Sequence, residues 1–210
     1  MKDMNVYKVN VKCHACGKDS PFTMHTLIDT AKDPNAETKL FQGEYFNHVC
    51  PVCHQVQPVT YSCMYHDGKR KLLIGFADSE KDYSMMKETL AGTKKSDKLD
   101  EVLAKWLETC EVRIVRSEYA LQEKVLIAHF GLDDRVIEIA RYRVFKSLKK
   151  DRDDIVDLYF NTQGNTYVFL IATQTDMSET YTFTQEMYNE LADTYQKELL
   201  KDMSIEINQK

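Results

Sequence analysis

The sequence predicts an α+β protein in two parts, an N-terminal antiparallel β domain over residues 1–78 and a helix-plus-sheet domain over residues 96–210. Three observations carry that expectation. Short alternating or apolar runs flank two Cys-x-x-Cys turns in the first third, as strands do on entering and leaving a hairpin. From residue 99 onward, apolar residues recur three and four apart, the spacing of one helix face. Between these regions residues 77–98 (ADSEKDYSMMKETLAGTKKSDK) are polar and follow neither period, which places the boundary there.

The elements follow in order. Residues 5–12 (NVYKVNVK) read as a strand ending at Cys13. Phe22 to Ile28 reads as a second strand, residues 29–43 as a polar connection, Glu44 to Val49 and Val56 to Tyr61 as further strands. Leu72 to Phe76 is a short apolar run that suits a buried strand. Ser96 suits the cap of a helix bearing Leu99, Val102, Leu103, Trp106 and Cys110, which puts Trp106 and Cys110 in the core. After a short strand at Val112 to Val115, Ser117 caps a helix with Leu121, Val125 and Ala128 inward, and Gly131 stands where a C-cap belongs. Asp133 or Asp134 opens a third helix that turns Val136, Ile137, Ala140 and Val144 inward. Beyond a charged run at residues 149–154, Ile155 to Phe160 and Tyr167 to Ala172 read as strands joined by Gln163-Gly164-Asn165. Tyr181 to Phe183 adds a third, and Thr184 opens a last helix carrying Met187, Leu191, Tyr195 and Leu199.

Composition narrows the class. The chain has 210 residues, 43% hydrophobic and 29% charged, enough for one sizeable core or two small ones in an ordinary soluble protein. No run of about 18 apolar residues occurs, so no membrane span is expected. The lead Met1-Lys2-Asp3-Met4-Asn5 has no apolar stretch of a secretory signal, which points to the cytoplasm. Thiols stay reduced there, so six cysteines argue for metal ligation by the paired ones and against a disulfide framework. A net charge of -5 does not favour a nucleic-acid partner, although residues 1–76 carry nine Lys/Arg against seven Asp/Glu.

The pairs are Cys13/Cys16 and Cys50/Cys53. A Cys-x-x-Cys turn supplies two sulfurs from one bend, and two such turns complete the tetrahedral shell of one zinc ion. The 33 residues between the pairs exceed the usual ribbon spacing, which a longer loop accommodates at small entropic cost. Four thiolates leave no open position for water, so the expected role of the ion is structural. His14, His48 and His54 sit beside these cysteines and read as supporting or surface groups. Cys63, His66 and Asp67 could form a Cys-His nucleophilic site, against the plainer reading of a buried cysteine. Asp133 and Asp134 with Arg135 are explained by a helix cap without chemistry. No phosphate-cradling glycine loop, H-E-x-x-H or G-x-S-x-G occurs.

Cys13-His14-Ala15-Cys16, Cys50-Pro51-Val52-Cys53, Tyr65-His66-Asp67, Leu72-Leu73-Ile74 and the stretch Arg113 to Val136 together resemble the bacterial CpXC domain, over roughly residues 5–140. The resemblance implies a zinc site at the two cysteine pairs and a bacterial cytoplasm, and it implies no activity.

The functional expectation is a non-enzymatic zinc-binding interaction module with an unidentified protein partner. One alternative is a nucleic-acid binder using Lys12, Lys18, Tyr45, Lys69, Arg70 and Lys71 as exposed basic and aromatic groups. The other is an enzyme with a cleft between the two domains. Lys69, Arg70 and Lys71 read as a solvated hairpin end whose replacement leaves folding unchanged.

Overall fold

A computed structural model describes residues 5–90 and 101–199, with side chains to Tyr195. The expected cap at Ser96 and the position Leu99 lie outside these residues. The fold is mixed α+β, and the chain divides into two compact units, the first running to Leu121 and the second beginning at Gln122.

In the first unit, β1 (Val6–Lys12) and β2 (Asp19–His25) form an antiparallel hairpin. The strand expected from Phe22 to Ile28 breaks at Thr26. Its first half is β2, and its second half, β3 (Leu27–Asp29), pairs in parallel with β6 (Cys63–Asp67). The connection at residues 29–43 contains the short helix α1 (Ala36–Phe41), which buries Ala36 and Leu40, one turn apart. The strand expected from Glu44 shrinks to β4 (Asn47–Val49), because Phe46 and Asn47 fold back to bond the carbonyl of Gly43, whose φ is +72°. β4 pairs antiparallel with β5 (Val56–Pro58), and this second hairpin carries the second cysteine turn.

The remaining strands build a four-stranded mixed sheet of order β3-β6-β7-β8. β7 (Leu72–Phe76) is buried at all five positions, which is why it reads as a continuous apolar run, and β8 (Glu111–Val115) joins it in parallel. The segment read as polar contains α2 (Glu80–Leu90), which buries only Leu90. It packs closely over β7, since a Cβ on Gly75 would lie 2.9 Å from Met86 Sδ. No residue of α3 (Glu101–Thr109) is fully buried. Trp106, expected in the core, lies partly exposed and flat on His66 with ring centroids 3.8 Å apart, and Cys110 is also only partly buried.

The division between the units falls inside α4 (Glu118–His129), which Ser117 caps through Ala120 N–H at 3.1 Å. Asp133 caps α5 (Asp134–Leu148) by accepting from Arg135 N–H at 2.9 Å. β9 (Ile155–Gln163), β10 (Thr166–Thr173) and β11 (Glu179–Phe183) follow as an antiparallel sheet of order β11-β10-β9, and α6 (Gln185–Leu199) comes last. Gly164, with φ +59°, and Asn165 make the β9–β10 turn. Ile137, Val144, Leu158, Phe160, Phe169 and Phe183 are central to the core of this unit.

This second unit also holds charge inside. Glu123 and Lys124 of α4 are buried, as are Asp134 and Arg141 of α5. The Arg141 guanidinium pairs with the Glu123 carboxylate, which also accepts from Phe160 N–H. Lys124 pairs with Glu138 at 2.8 Å and with Asp134 at 3.2 Å. Burial pushes the Glu123 carboxyl up, against the downward pull of the Arg141 and Lys124 charges.

Candidate metal centre

Each cysteine pair sits at the end of a hairpin, and the two turns repeat one hydrogen-bond pattern. In the first, Gly17 N–H donates to Cys13 O at 2.9 Å and Cys13 N–H to Lys18 O at 2.9 Å. In the second, His54 N–H donates to Cys50 O at 2.9 Å and Cys50 N–H to Gln55 O at 3.0 Å. The residue after each pair turns left-handed, Gly17 at φ +71° and His54 at +60°. His54 therefore serves the turn by its backbone conformation, a demand glycine meets without strain.

These equivalent turns bring all four Sγ atoms within 4.8 Å of one another. Cys13 Sγ lies 3.6 Å from Cys53 Sγ, and Cys16 Sγ lies 3.7 Å from Cys50 Sγ, each approach crossing from one hairpin to the other. A tetrahedron of thiolates about 2.3 Å from a metal ion has edges of about 3.8 Å, and the two cross-hairpin approaches are close to that length, so the four sulfurs could hold a metal ion. Cys13 and Cys50 are buried while Cys16 and Cys53 reach the surface. His14 and His54 are exposed, and His48 bonds Ser20 Oγ through Nε2 at 2.9 Å; none of these histidines belongs to the sulfur group.

Backbone donors favour thiolate at the first cysteine of each pair. The N–H groups of Cys16 and Ala15 lower the Cys13 thiol against burial. The N–H groups of Cys53 and Val52 bring the Cys50 thiol down to about 6. At Cys53 the Gln55 N–H lowers the thiol, but burial and the three neighbouring sulfurs outweigh it and push it up to about 12. The sulfurs compete for one another's protons, so ionising one opposes ionising its neighbours.

Two residues that sequence reasoning passed over tie the hairpins together. Gln57 of β5 reaches across to the first turn, and Ser20 of β2 meets His48 of β4. A glutamine on a short alternating strand reads as solvent-facing, and nothing in its spacing signals otherwise.

The other candidate constellations separate. Cys63 and His66 occupy opposite faces of β6, since residues three apart on a strand point opposite ways. Burial, then the Glu118 charge, pushes the Cys63 thiol up to about 12. His66 Nδ1 instead meets Asp29 Oδ1 at 3.1 Å. Asp67 accepts from the N–H groups of Lys69 and Arg70 at 3.0 and 3.2 Å and pairs with Arg70 at 2.6 Å. Burial raises its carboxyl, but these donors prevail and hold it below the usual range.

Of the expected basic and aromatic surface, Lys12, Lys18, Lys69 and Lys71 are exposed. Tyr45 is buried and bonds the Asp33 carboxylate at 3.4 Å, so its ring offers no exposed face. Arg70 is exposed too, but its guanidinium pairs with Glu37 at 2.7 Å as well as with Asp67, so it is tied into the fold and is not only a solvated charge. Arg70→Ser is therefore expected to lower stability by about 1–3 kcal/mol, because it leaves a buried carboxylate short of a charged donor. Lys69→Ser and Lys71→Ser should each stay within about 0.5 kcal/mol. A depressed carboxyl contributes stability above its ordinary range and loses it in acid, so the Arg70→Ser deficit should shrink as the pH falls below about 4. Urea melts of the three variants at neutral and acid pH check this, and equal stabilities would contradict it.

A family model described as CpXC protein matches residues 11–141, more than half of the chain and all four paired cysteines. No curated protein and no solved structure matches the chain.

Proposed function

The chain belongs to the CpXC protein family, and we propose that Cys13, Cys16, Cys50 and Cys53 hold one structural zinc ion that shapes a protein-binding module of a bacterial cytoplasm. The observation that supports the ion is the pair of cross-hairpin sulfur distances, 3.6 and 3.7 Å. Cysteines alone suit zinc among common divalent ions, and a reducing compartment keeps them available. Bound there, zinc would supply a cross-link between the β1–β2 and β4–β5 hairpins, and the four sulfurs would fill its coordination shell. No helix among the described residues is long and apolar enough to cross a membrane.

What supports a binding role is the tip of the second hairpin. Val49 and Val56 face one another across the β4–β5 ladder, 56% and 51% exposed, and Val52 between Cys50 and Cys53 is 61% exposed. Three large aliphatic side chains on one cysteine-bearing hairpin form an apolar surface on a backbone that the ion would hold still. A protein partner is the occupant that apolar surface suits.

The test is capture from the native cell with wild type and with a Val49→Ser, Val52→Ser, Val56→Ser variant. The variant should keep its metal content and melting temperature, because exposed side chains contribute little to folding. It should lose a protein that the wild type retains. Equal retention by both would contradict the role of this surface.

A further inference from the structure

We infer that Gln57 is a positioning residue of the metal centre: its buried carboxamide fixes the backbone on both sides of Cys13 and so sets the spacing of the two cysteine turns. This rests on the zinc site proposed above. Gln57 is 5% exposed and lies opposite His48 in the β4–β5 ladder. Its Oε1 accepts from His14 N–H at 2.9 Å and its Nε2 donates to Lys12 O at 3.1 Å. Those backbone groups belong to the residues immediately before and after Cys13, on the other hairpin.

The chemistry requires an amide. A glutamate in its place could accept but not donate, a lysine could donate but not accept, and an aliphatic chain could do neither. A buried amide is costly unless its hydrogen bonds are made, and here both sides of the carboxamide are engaged. Each hairpin brings two sulfurs to the cluster, so a cation can be enclosed only when the hairpins stand in the right register. Gln57 favours that register over others, with Ser20 Oγ to His48 Nε2 at 2.9 Å as a second tie between the same hairpins.

A residue that merely stabilises the fold would act differently from one that positions ligands. Zinc affinity is measured by competition with a chromophoric chelator, and site symmetry by the d–d bands of the cobalt(II)-substituted protein. Gln57→Met should weaken zinc binding by about 10–100-fold and alter the cobalt bands, although no ligand is removed. Gln163→Met, at an exposed glutamine that ends β9, should match wild type in both. Leu73→Ala, which leaves a cavity at a fully buried position of β7, supplies a control for simple loss of stability. The proposal is overturned if Gln57→Met binds zinc like wild type, or loses no more affinity than Leu73→Ala at the same loss of melting temperature. Should Gln57→Met fail to fold, the side-chain amide protons of wild-type Gln57 decide the matter. Exchange much slower than that of Gln163 supports the clamp, and equally fast exchange overturns it. A wild-type protein that binds no zinc in the same titration would instead defeat the zinc site itself.

Discussion

Cys16→Ser, or removal of the ion by a strong chelator, is expected to unfold the two cysteine hairpins while the unit beginning at Gln122 stays folded. Among the described residues, the strands of these hairpins bury only Ser20, Phe22, His48 and Gln57. In β1 no residue is fully buried, and β4 and β5 are three residues each. An isolated two-stranded hairpin is marginal in water. Besides the sulfurs, the links between the two hairpins include Gln57 with Lys12 and His14, Ser20 with His48, and the edge contact of Phe22 with His48 at 6.0 Å. Against these contacts, the binding free energy of a structural zinc ion, on the order of 10 kcal/mol in small modules, enters directly as folding free energy. The second unit has its own core around Leu158, Phe160, Phe169 and Phe183 and needs no metal to bury it. Hydrogen exchange by region should show loss of protection at residues 6–25 and 47–58 with protection kept at 155–183. Uniform loss along the chain would show one cooperative unit.

Arg141→Met is expected to cost about 3–5 kcal/mol, because it leaves the Glu123 carboxylate buried without its guanidinium. Replacing both partners, Glu123→Met with Arg141→Met, should recover much of that loss, since an apolar pair carries no desolvation penalty. Recovery should be incomplete, because Phe160 N–H loses its acceptor and Glu138 loses a partner at 3.3 Å. The pH dependence has a definite sign. Burial already raises the Glu123 carboxyl, and without Arg141 that push is less opposed. An acid raised in the folded state contributes most below its unfolded value and loses that contribution as the pH rises through the carboxylate range. The Arg141→Met deficit should therefore be smaller near pH 4 than near pH 7. Chemical denaturation of both single variants and the double variant at two pH values measures this, and additive losses would contradict it.

The parts of the molecule that were legible in the sequence are those set by local chemistry. The two Cys-x-x-Cys turns, the caps at Ser117 and Asp133, and the turn at Gly164-Asn165 all follow from residue type at fixed spacing. Elements decided by tertiary packing were not legible. α1 buries only Ala36 and Leu40, and α2 only Leu90, so neither leaves an apolar stripe for a periodic pattern to reveal. β6 reads as Cys-Met-Tyr-His-Asp, which hides a strand because polar His66 and Asp67 are buried against Asp29 and Arg70. The parallel pairing of β7 with β8 joins residues far apart in sequence, beyond the reach of any local signal. At the metal centre the ligand pattern is visible, but the Gln57 clamp is not, since its hydrogen bonds run to backbone groups that carry no sequence signature.

One ion held by four sulfurs is what joins the two cysteine hairpins. The direct measurement is elemental analysis of protein purified without added metal, joined to X-ray absorption at the zinc edge. The prediction is close to one zinc per chain, with a shell of four sulfur neighbours at about 2.3 Å. Protein that carries no metal and four free thiols at Cys13, Cys16, Cys50 and Cys53, or disulfides among them, would contradict it.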